Sequence, residues 1–106
     1  SSNIITFNES IPIDGLPNVF GKGAEQDFLN LFKILEKNKF PKKIIKNLYY
    51  FQIGRWDLQL LNDKIIKLPK DKITQAIQQS VKLLDSKDFE NYNIIDLRIY
   101  GKLVVE

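Results

Sequence analysis

The sequence predicts an α+β fold: a mixed, mostly antiparallel sheet of about six strands, with two α-helices packed on it and an edge strand at the C-terminal end. Residues 54–68 predict a β-hairpin, because two short strand-like stretches flank a tight turn. In two other stretches apolar residues recur every three to four positions, which is typical of amphipathic helices. The length of 106 residues is that of one domain, so we expect a single domain over residues 1–106.

The hairpin has the clearest pattern. Its first strand alternates apolar and polar residues at the strand period of two, as expected when one face is buried. The apolar positions of that strand are Trp56, Leu58 and Leu60. Asn62 and Asp63 tolerate the positive φ angles of a two-residue hairpin loop, so we place the turn there. The second strand returns through residues 65–68.

Helices are predicted at residues 24–38 and 70–85, where acidic residues precede lysines as the helix dipole favours. Residues 44–53 are rich in β-branched and aromatic residues and predict a strand. The chain before the first helix holds another strand candidate, made of Ile4, Ile5 and Phe7. The rest of that segment is broken by proline and glycine up to Gly23, and it is predicted to be a loop.

The C-terminal stretch predicts a last pair of strands. Residues 95–99 alternate apolar and charged side chains, and residues 100–101 form a turn into a strand at residues 102–105. The polar stretch that precedes this pair is predicted to be fixed to the core by Phe89 and Tyr92. The chain is therefore expected to end on a strand.

Composition excludes most catalytic and metal-binding classes. The chain has no cysteine and no histidine, which removes disulfides, Ser-His and Cys-His catalysis and the usual zinc ligands. We therefore expect no enzyme activity, no cofactor, no metal and no small-molecule ligand. The alternative is an enzyme that uses Asp57, Asp96 and a lysine, although such groups occur on every soluble domain.

The positive charge does not indicate a nucleic-acid surface. The net charge is +3 at pH 7, and nearly all of the positive charge is lysine spread along the chain. Nucleic-acid surfaces usually cluster their cations and favour arginine, so we expect no nucleic-acid binding. The two arginines, Arg55 and Arg98, lie beside predicted strands, where the simplest interpretation is an ion pair with Asp57 or Asp96.

Four ordered motifs resemble those of a known family. They are Phe-Gly-Lys-Gly-Ala at 20–24, Arg-Trp-Asp-Leu-Gln-Leu at 55–60, Ile-Lys-Leu-Pro at 66–69 and Ile-Asp-Leu-Arg at 95–98. Together they are similar to the membrane-distal β domain of the FtsQ/DivIB family of bacterial cell-division proteins, over nearly the whole chain. Two features depart from the family: Asn62-Asp63 replaces a common Asn-Gly turn, and the longer polar tail of many relatives is missing.

The resemblance implies the periplasmic domain of a single-pass inner-membrane protein at the division septum. The chain begins with Ser-Ser-Asn and contains no methionine, which indicates a piece of a longer protein. The transmembrane segment and the membrane-proximal POTRA domain of the family are therefore expected outside residues 1–106. The implied role is a scaffold that binds the FtsB/FtsL pair, chiefly FtsB, and helps to control septal peptidoglycan synthesis.

The physical route that we expect is strand addition at residues 102–105, because an edge strand can accept a partner strand. In the family, arginines near the matching motifs are placed to meet acidic groups of FtsB. The expected partner-binding residues are Arg55, Arg98, Ile99, Tyr100, Lys102, Leu103, Val104 and Val105. The alternative is that the same edge pairs with a second copy to form a homodimer.

Overall fold

The computed structural model describes residues 17–99 and 101–106, which form six strands and two α-helices. The strands are β1 (Asn18–Phe20), β2 (Ile45–Phe51), β3 (Arg55–Leu60), β4 (Ile65–Lys67), β5 (Ile94–Asp96) and β6 (Val104–Val105), and the helices are α1 (Ala24–Lys37) and α2 (Ile73–Leu84). Short 3-10 helices at Lys42–Ile44 and Lys87–Asn91 precede β2 and β5. The strand predicted at Ile4, Ile5 and Phe7 lies outside the described residues.

The strands lie side by side in chain order from β1 to β6. The β2–β3, β3–β4 and β5–β6 pairs are antiparallel, whereas β1–β2 and β4–β5 are parallel. Parallel neighbours need a crossover connection, and α1 and α2 provide the two crossovers in this part of the chain. The predicted fold class, a mixed and mostly antiparallel sheet with a C-terminal edge strand, is confirmed.

Both helices pack against one face of the sheet and bury it. The core residues shared by the helices and the central strands include Leu31, Leu35, Ile77, Leu48, Trp56, Leu58, Ile66 and Ile95. Trp56 is predicted to be a core residue, and this is confirmed: it is buried, and its Nε1 donates to Asp27 Oδ2 on α1 at 2.7 Å. Successive strand residues point to opposite faces, so the residues between these core positions form a second face, which we call the polar face.

The segment before α1 contains a strand where the sequence predicts only a loop. Val19 of β1 is buried and pairs with Leu48 of β2. Gly21 follows β1 with a φ of 119°, and a Cβ atom there would lie 2.2 Å from the carbonyl oxygen of Tyr50. Only glycine fits this close approach. The glycine motif therefore serves to turn the chain from β1 into α1.

The predicted β3–β4 hairpin is confirmed, but its loop has three residues rather than two. Leu60 donates its N–H to the carbonyl oxygen of Lys64 at 2.8 Å and accepts the N–H of Asp63 at 2.9 Å. Asp63 has a positive φ of 67°, and it is the residue of the Asn62-Asp63 pair that adopts the left-handed conformation. This arrangement matches a type I turn followed by one left-handed residue.

The later elements are shorter than the sequence predicts. Helix α2 begins at Ile73 rather than at residue 70, because Lys72 has a left-handed φ of 59°. Strand β5 ends at Asp96, because the N–H of Arg98 donates to Asp96 Oδ1 at 3.0 Å and not to a neighbouring strand. Ile99, predicted to continue the buried side of this strand, is 64% exposed. Among the described residues no helix is long and apolar enough to cross a membrane.

Candidate partner-binding site

Among the described residues, β6 is the last strand of the sheet and lies next to β5. Val104 pairs with Asp96, and Ile94 and Glu106 exchange N–H···O bonds of 3.3 and 2.9 Å. In an antiparallel ladder such hydrogen-bonded pairs alternate with pairs whose N–H and C=O groups point away from each other. Val105 lies between the two bonded pairs. Its N–H and C=O therefore point away from β5, towards the side that we call the outer edge of β6.

The outer edge of β6 is suited to accept another strand. Within residues 17–99 and 101–106, nothing is hydrogen-bonded to the outward N–H and C=O of Val105. The Val105 side chain packs against the core, while Val104 lies on the polar face and is 39% exposed. The two valines thus face opposite sides of the sheet. Unpaired backbone groups on an edge strand are a template for β-strand addition.

A row of charged side chains crosses the polar face towards β6. Asp57, Lys67 and Asp96 are direct neighbours across β3, β4 and β5. Strand β3 runs antiparallel to β4, whereas β5 runs parallel to β4. Arg55, two residues before Asp57, and Arg98, two residues after Asp96, therefore lie towards the same end of the sheet. They are separated by two strand spacings, which is about 10 Å. We call these five residues the charged row.

Within the charged row, Asp96 holds Arg98 through several hydrogen bonds. Arg98 Nε donates to Asp96 Oδ1 and Oδ2 at 2.9 and 3.0 Å, and Nη2 donates to Oδ2 at 2.6 Å. These bonds lower the pKa of Asp96, and the carboxylate in turn raises the pKa of Arg98. The predicted ion pair is therefore confirmed with Asp96. The Arg98 side chain nevertheless remains 47% exposed.

Arg55 is more enclosed than Arg98. Its side chain is 13% exposed, and its Nη1 donates to Asp57 Oδ1 at 2.6 Å and to the carbonyl oxygen of Leu68 at 3.2 Å. Its guanidinium also lies 4.6 Å from the ring centroid of Phe51, a cation–π contact. The predicted ion pair with Asp57 is confirmed. These contacts hold Arg55 against β2, β3 and the residue that follows β4, and they leave little of its side chain exposed.

An open cavity of about 330 Å³ lies where the charged row meets β6. It is lined by Asp96, Arg98, Ile99, Lys102 and Val104. Arg98 and Lys102 supply positive charge, while Ile99 and Val104 supply exposed apolar surface. Such a wall suits a partner side chain with an aliphatic stem and a carboxylate at its end.

The structure brings together half of the predicted partner-binding residues. Arg98, Ile99, Lys102 and Val104 line one cavity, and Leu103 and Val105 flank Val104 in the chain. Arg55 lies two strands away on the polar face, and Tyr100 lies outside the described residues. Sequence reasoning missed Lys67, because its place between two aspartates depends on the pairing of three strands. In the described part of the chain, no group of acidic residues is arranged to hold a metal ion.

Comparison with known proteins identifies one family. The family model described as "Cell division protein FtsQ/DivIB, C-terminal" matches residues 3–98. The protein called "Cell division protein FtsQ" in Rickettsia prowazekii is 32% identical over 103 residues, and that of Rickettsia typhi is 31% identical over 99 residues. Each alignment covers 90% of this chain and 36% of the relative. The chain therefore spans little more than a third of the curated relatives that it matches.

Proposed function

This chain belongs to the FtsQ/DivIB family of cell-division proteins, and we propose that it is a non-catalytic docking domain that binds the FtsB/FtsL pair by strand addition at β6. In this proposal the chain is the periplasmic β domain of a single-pass inner-membrane protein at the division septum. The transmembrane segment and the POTRA domain belong to other parts of the full protein. Binding at β6 then helps to regulate septal peptidoglycan synthesis.

The observation that carries the proposal is the direction of the Val105 backbone groups. Their N–H and C=O point to the outer edge of β6, while β5 occupies the other side of the strand. A partner strand placed about 4.8 Å from β6 would bond to both groups and continue the sheet. Backbone bonds supply affinity in this mode of recognition, and side-chain contacts supply the choice of partner.

The charges beside β6 support an acidic partner. Side chains of an added strand that point to the polar face would lie beside Val104 and above the cavity that Arg98 and Lys102 line. A carboxylate there would form charge-assisted hydrogen bonds with the guanidinium. This chemistry agrees with the acidic groups of FtsB that the family resemblance implies.

Reversing the charge at Arg98 tests the acidic partner. We expect Arg98→Glu to weaken binding of the periplasmic part of FtsB by about tenfold or more, because attraction becomes repulsion. The remaining affinity should also depend less on salt. Isothermal titration calorimetry at low and high salt measures both effects.

The matched control is Lys22→Glu, which makes the same change of charge on an exposed side chain beside β1, at the opposite end of the sheet. It should leave the dissociation constant within about twofold, because a surface charge so far from the interface is screened. Equal losses in the two variants would mean that only the net charge matters. An unchanged dissociation constant in Arg98→Glu would limit Arg98 to its ion pair with Asp96.

The same outer edge can also pair with β6 of a second copy across a two-fold axis. In that case the chain would form homodimers without FtsB, and the Val105 backbone groups would be occupied. Light scattering over a range of concentrations separates the two cases. We expect a monomer, because self-pairing at β6 would bring Arg98 and Lys102 of both copies to the same edge, where like charges repel.

A further inference from the structure

We infer that Asp96 is a positioning residue of the proposed site: it holds the Arg98 guanidinium in one orientation, so that the other edge of the guanidinium binds a carboxylate of the partner. This inference rests on the proposed function. It assigns to Asp96 a part in recognition beyond that of a surface ion pair. It also commits to one kind of contact, a two-pronged hydrogen bond to a single acidic side chain.

The geometry of the guanidinium carries the inference. Arginine presents five N–H donors in a rigid plane. The edge formed by Nε and Nη2 faces Asp96, with donor–acceptor distances between 2.6 and 3.0 Å. The remaining donors, on Nη1 and Nη2, form a second edge that has no acceptor among the described residues. Arg98 is one of the residues that line the cavity beside β6.

Asp96 is itself firmly held. It lies in β5 between β4 and β6, pairs with Lys67 and Val104, and exposes only 15% of its side chain. Its Oδ1 also accepts the backbone N–H of Arg98 at 3.0 Å. Arg98 therefore has both its backbone and its guanidinium fixed by one carboxylate. An arginine fixed before binding loses less side-chain freedom when the partner arrives.

The negative charge of Asp96 opposes binding of an acidic partner, whereas its positioning of Arg98 favours binding. A negative carboxylate beside Arg98 repels the carboxylate of a partner. The pKa of Asp96 is lowered chiefly by its hydrogen bonds with Arg98 and further by Lys67, its direct neighbour on β4, whose positive charge offsets part of this repulsion. If removing the charge of Asp96 lowers the affinity for the partner, positioning is the larger effect, and if it raises the affinity, repulsion is the larger effect. We expect positioning to be the larger effect.

The variant Asp96→Asn separates these effects. Asparagine keeps one side-chain oxygen for the N–H of Arg98, so the turn after β5 is retained, but it loses the charge and the second acceptor. In titrations of the 106-residue chain with the periplasmic part of FtsB, we expect affinity to fall by about threefold to tenfold. Asp88→Asn, an exposed position in the 3-10 helix before β5, is the control and should bind as the wild type does.

A double-mutant cycle identifies the route of the effect. If Asp96 acts through Arg98, Asp96→Asn should cause no further loss of affinity in an Arg98→Met chain. A nuclear magnetic resonance signal of the Arg98 Nε–H in the free protein gives a second readout. Its exchange with water should be slow in the wild type and fast in Asp96→Asn, while the thermal midpoint changes little.

Each other outcome rules out either the positioning role of Asp96 or the proposed function. Unchanged or tighter binding by Asp96→Asn, with normal binding by the wild type, overturns the positioning role of Asp96 alone. Equal losses in the wild-type and Arg98→Met backgrounds overturn it too, because the effect would then bypass Arg98. Absence of binding by the wild-type chain overturns the proposed function, and the role of Asp96 with it.

Discussion

Replacing Val105 with proline is expected to weaken FtsB binding by at least about a hundredfold while the domain stays folded. Proline has no N–H, and its ring would occupy the space where the carbonyl of a partner strand must approach. The fold should tolerate the change, because the N–H of Val105 points to the outer edge of β6 and not to β5. Titration calorimetry measures the affinity, and thermal unfolding measures the fold.

Two further substitutions test whether the loss of binding in Val105→Pro comes from the missing backbone N–H. Val105→Ala loses apolar packing but keeps the N–H. Because the N–H is kept, this variant should bind within about threefold of the wild type. Val104→Pro removes an N–H that faces Asp96, so we expect it to disturb the β5–β6 pairing itself and to lower the thermal midpoint. Unchanged affinity in Val105→Pro would show that partners do not dock on β6.

The largest expected loss of stability follows from Trp56→Ala. Trp56 is fully buried, packs against Tyr50 with ring centroids 4.8 Å apart, and bonds to Asp27 on α1. Truncating such a residue costs about 3–5 kcal/mol of the free energy of unfolding. A small domain has about 5–15 kcal/mol in total. The variant should therefore unfold at a much lower urea concentration than the wild type.

Circular dichroism is the suitable probe for this series, because Trp56 is the only tryptophan and its fluorescence disappears with it. Trp56→Phe keeps an aromatic ring but loses the Nε1 donor, and it should cost about 1–3 kcal/mol. Leu29→Ala is the surface control: Leu29 lies on α1 and is 68% exposed, so its loss should stay within about 0.5 kcal/mol. A similar loss for Trp56→Ala and Leu29→Ala would contradict the burial of Trp56 in the core.

The amphipathic elements could be predicted from the sequence because their signal is local. Helix α1 is predicted at residues 24–38 and is observed at Ala24–Lys37, where apolar residues recur over four turns. The alternation of β3 likewise predicts which of its side chains are buried. In both elements a single periodicity extends through the whole segment. The helix or strand can then be recognised without knowledge of its neighbours.

Features that depend on distant partners could not be predicted. Strand β1 has three residues, and its partner β2 follows only after α1, so the pairing leaves no local pattern. Lys64 is buried because its Nζ donates to the carbonyl oxygens of Glu90 and Tyr92 at 3.0 and 2.5 Å. Those acceptors lie in the turn before β5. Nothing in the sequence near Lys64 indicates that its charge is buried.

The candidate site likewise has one feature that could be predicted from a local pattern and one that depends on distant strands. The Asp-Leu-Arg spacing places a carboxylate and a guanidinium on one side of a strand, so an ion pair between Asp96 and Arg98 could be predicted. The alignment of that pair with Arg55 and Asp57 requires the register of three strands. Register follows from burial of one face of the whole sheet and not from any one segment. The charged row is therefore visible only in the folded structure.

Hydrogen exchange at the amide of Val105 tests strand addition most directly. In the free chain this N–H points to the outer edge of β6, where no described residue accepts it, and it should exchange rapidly. With saturating FtsB its exchange should slow by at least about tenfold, while the amide of Val104, which faces Asp96, should change little. If the complex forms and the Val105 amide still exchanges as it does in the free chain, the partner binds elsewhere and the proposed docking at β6 is wrong.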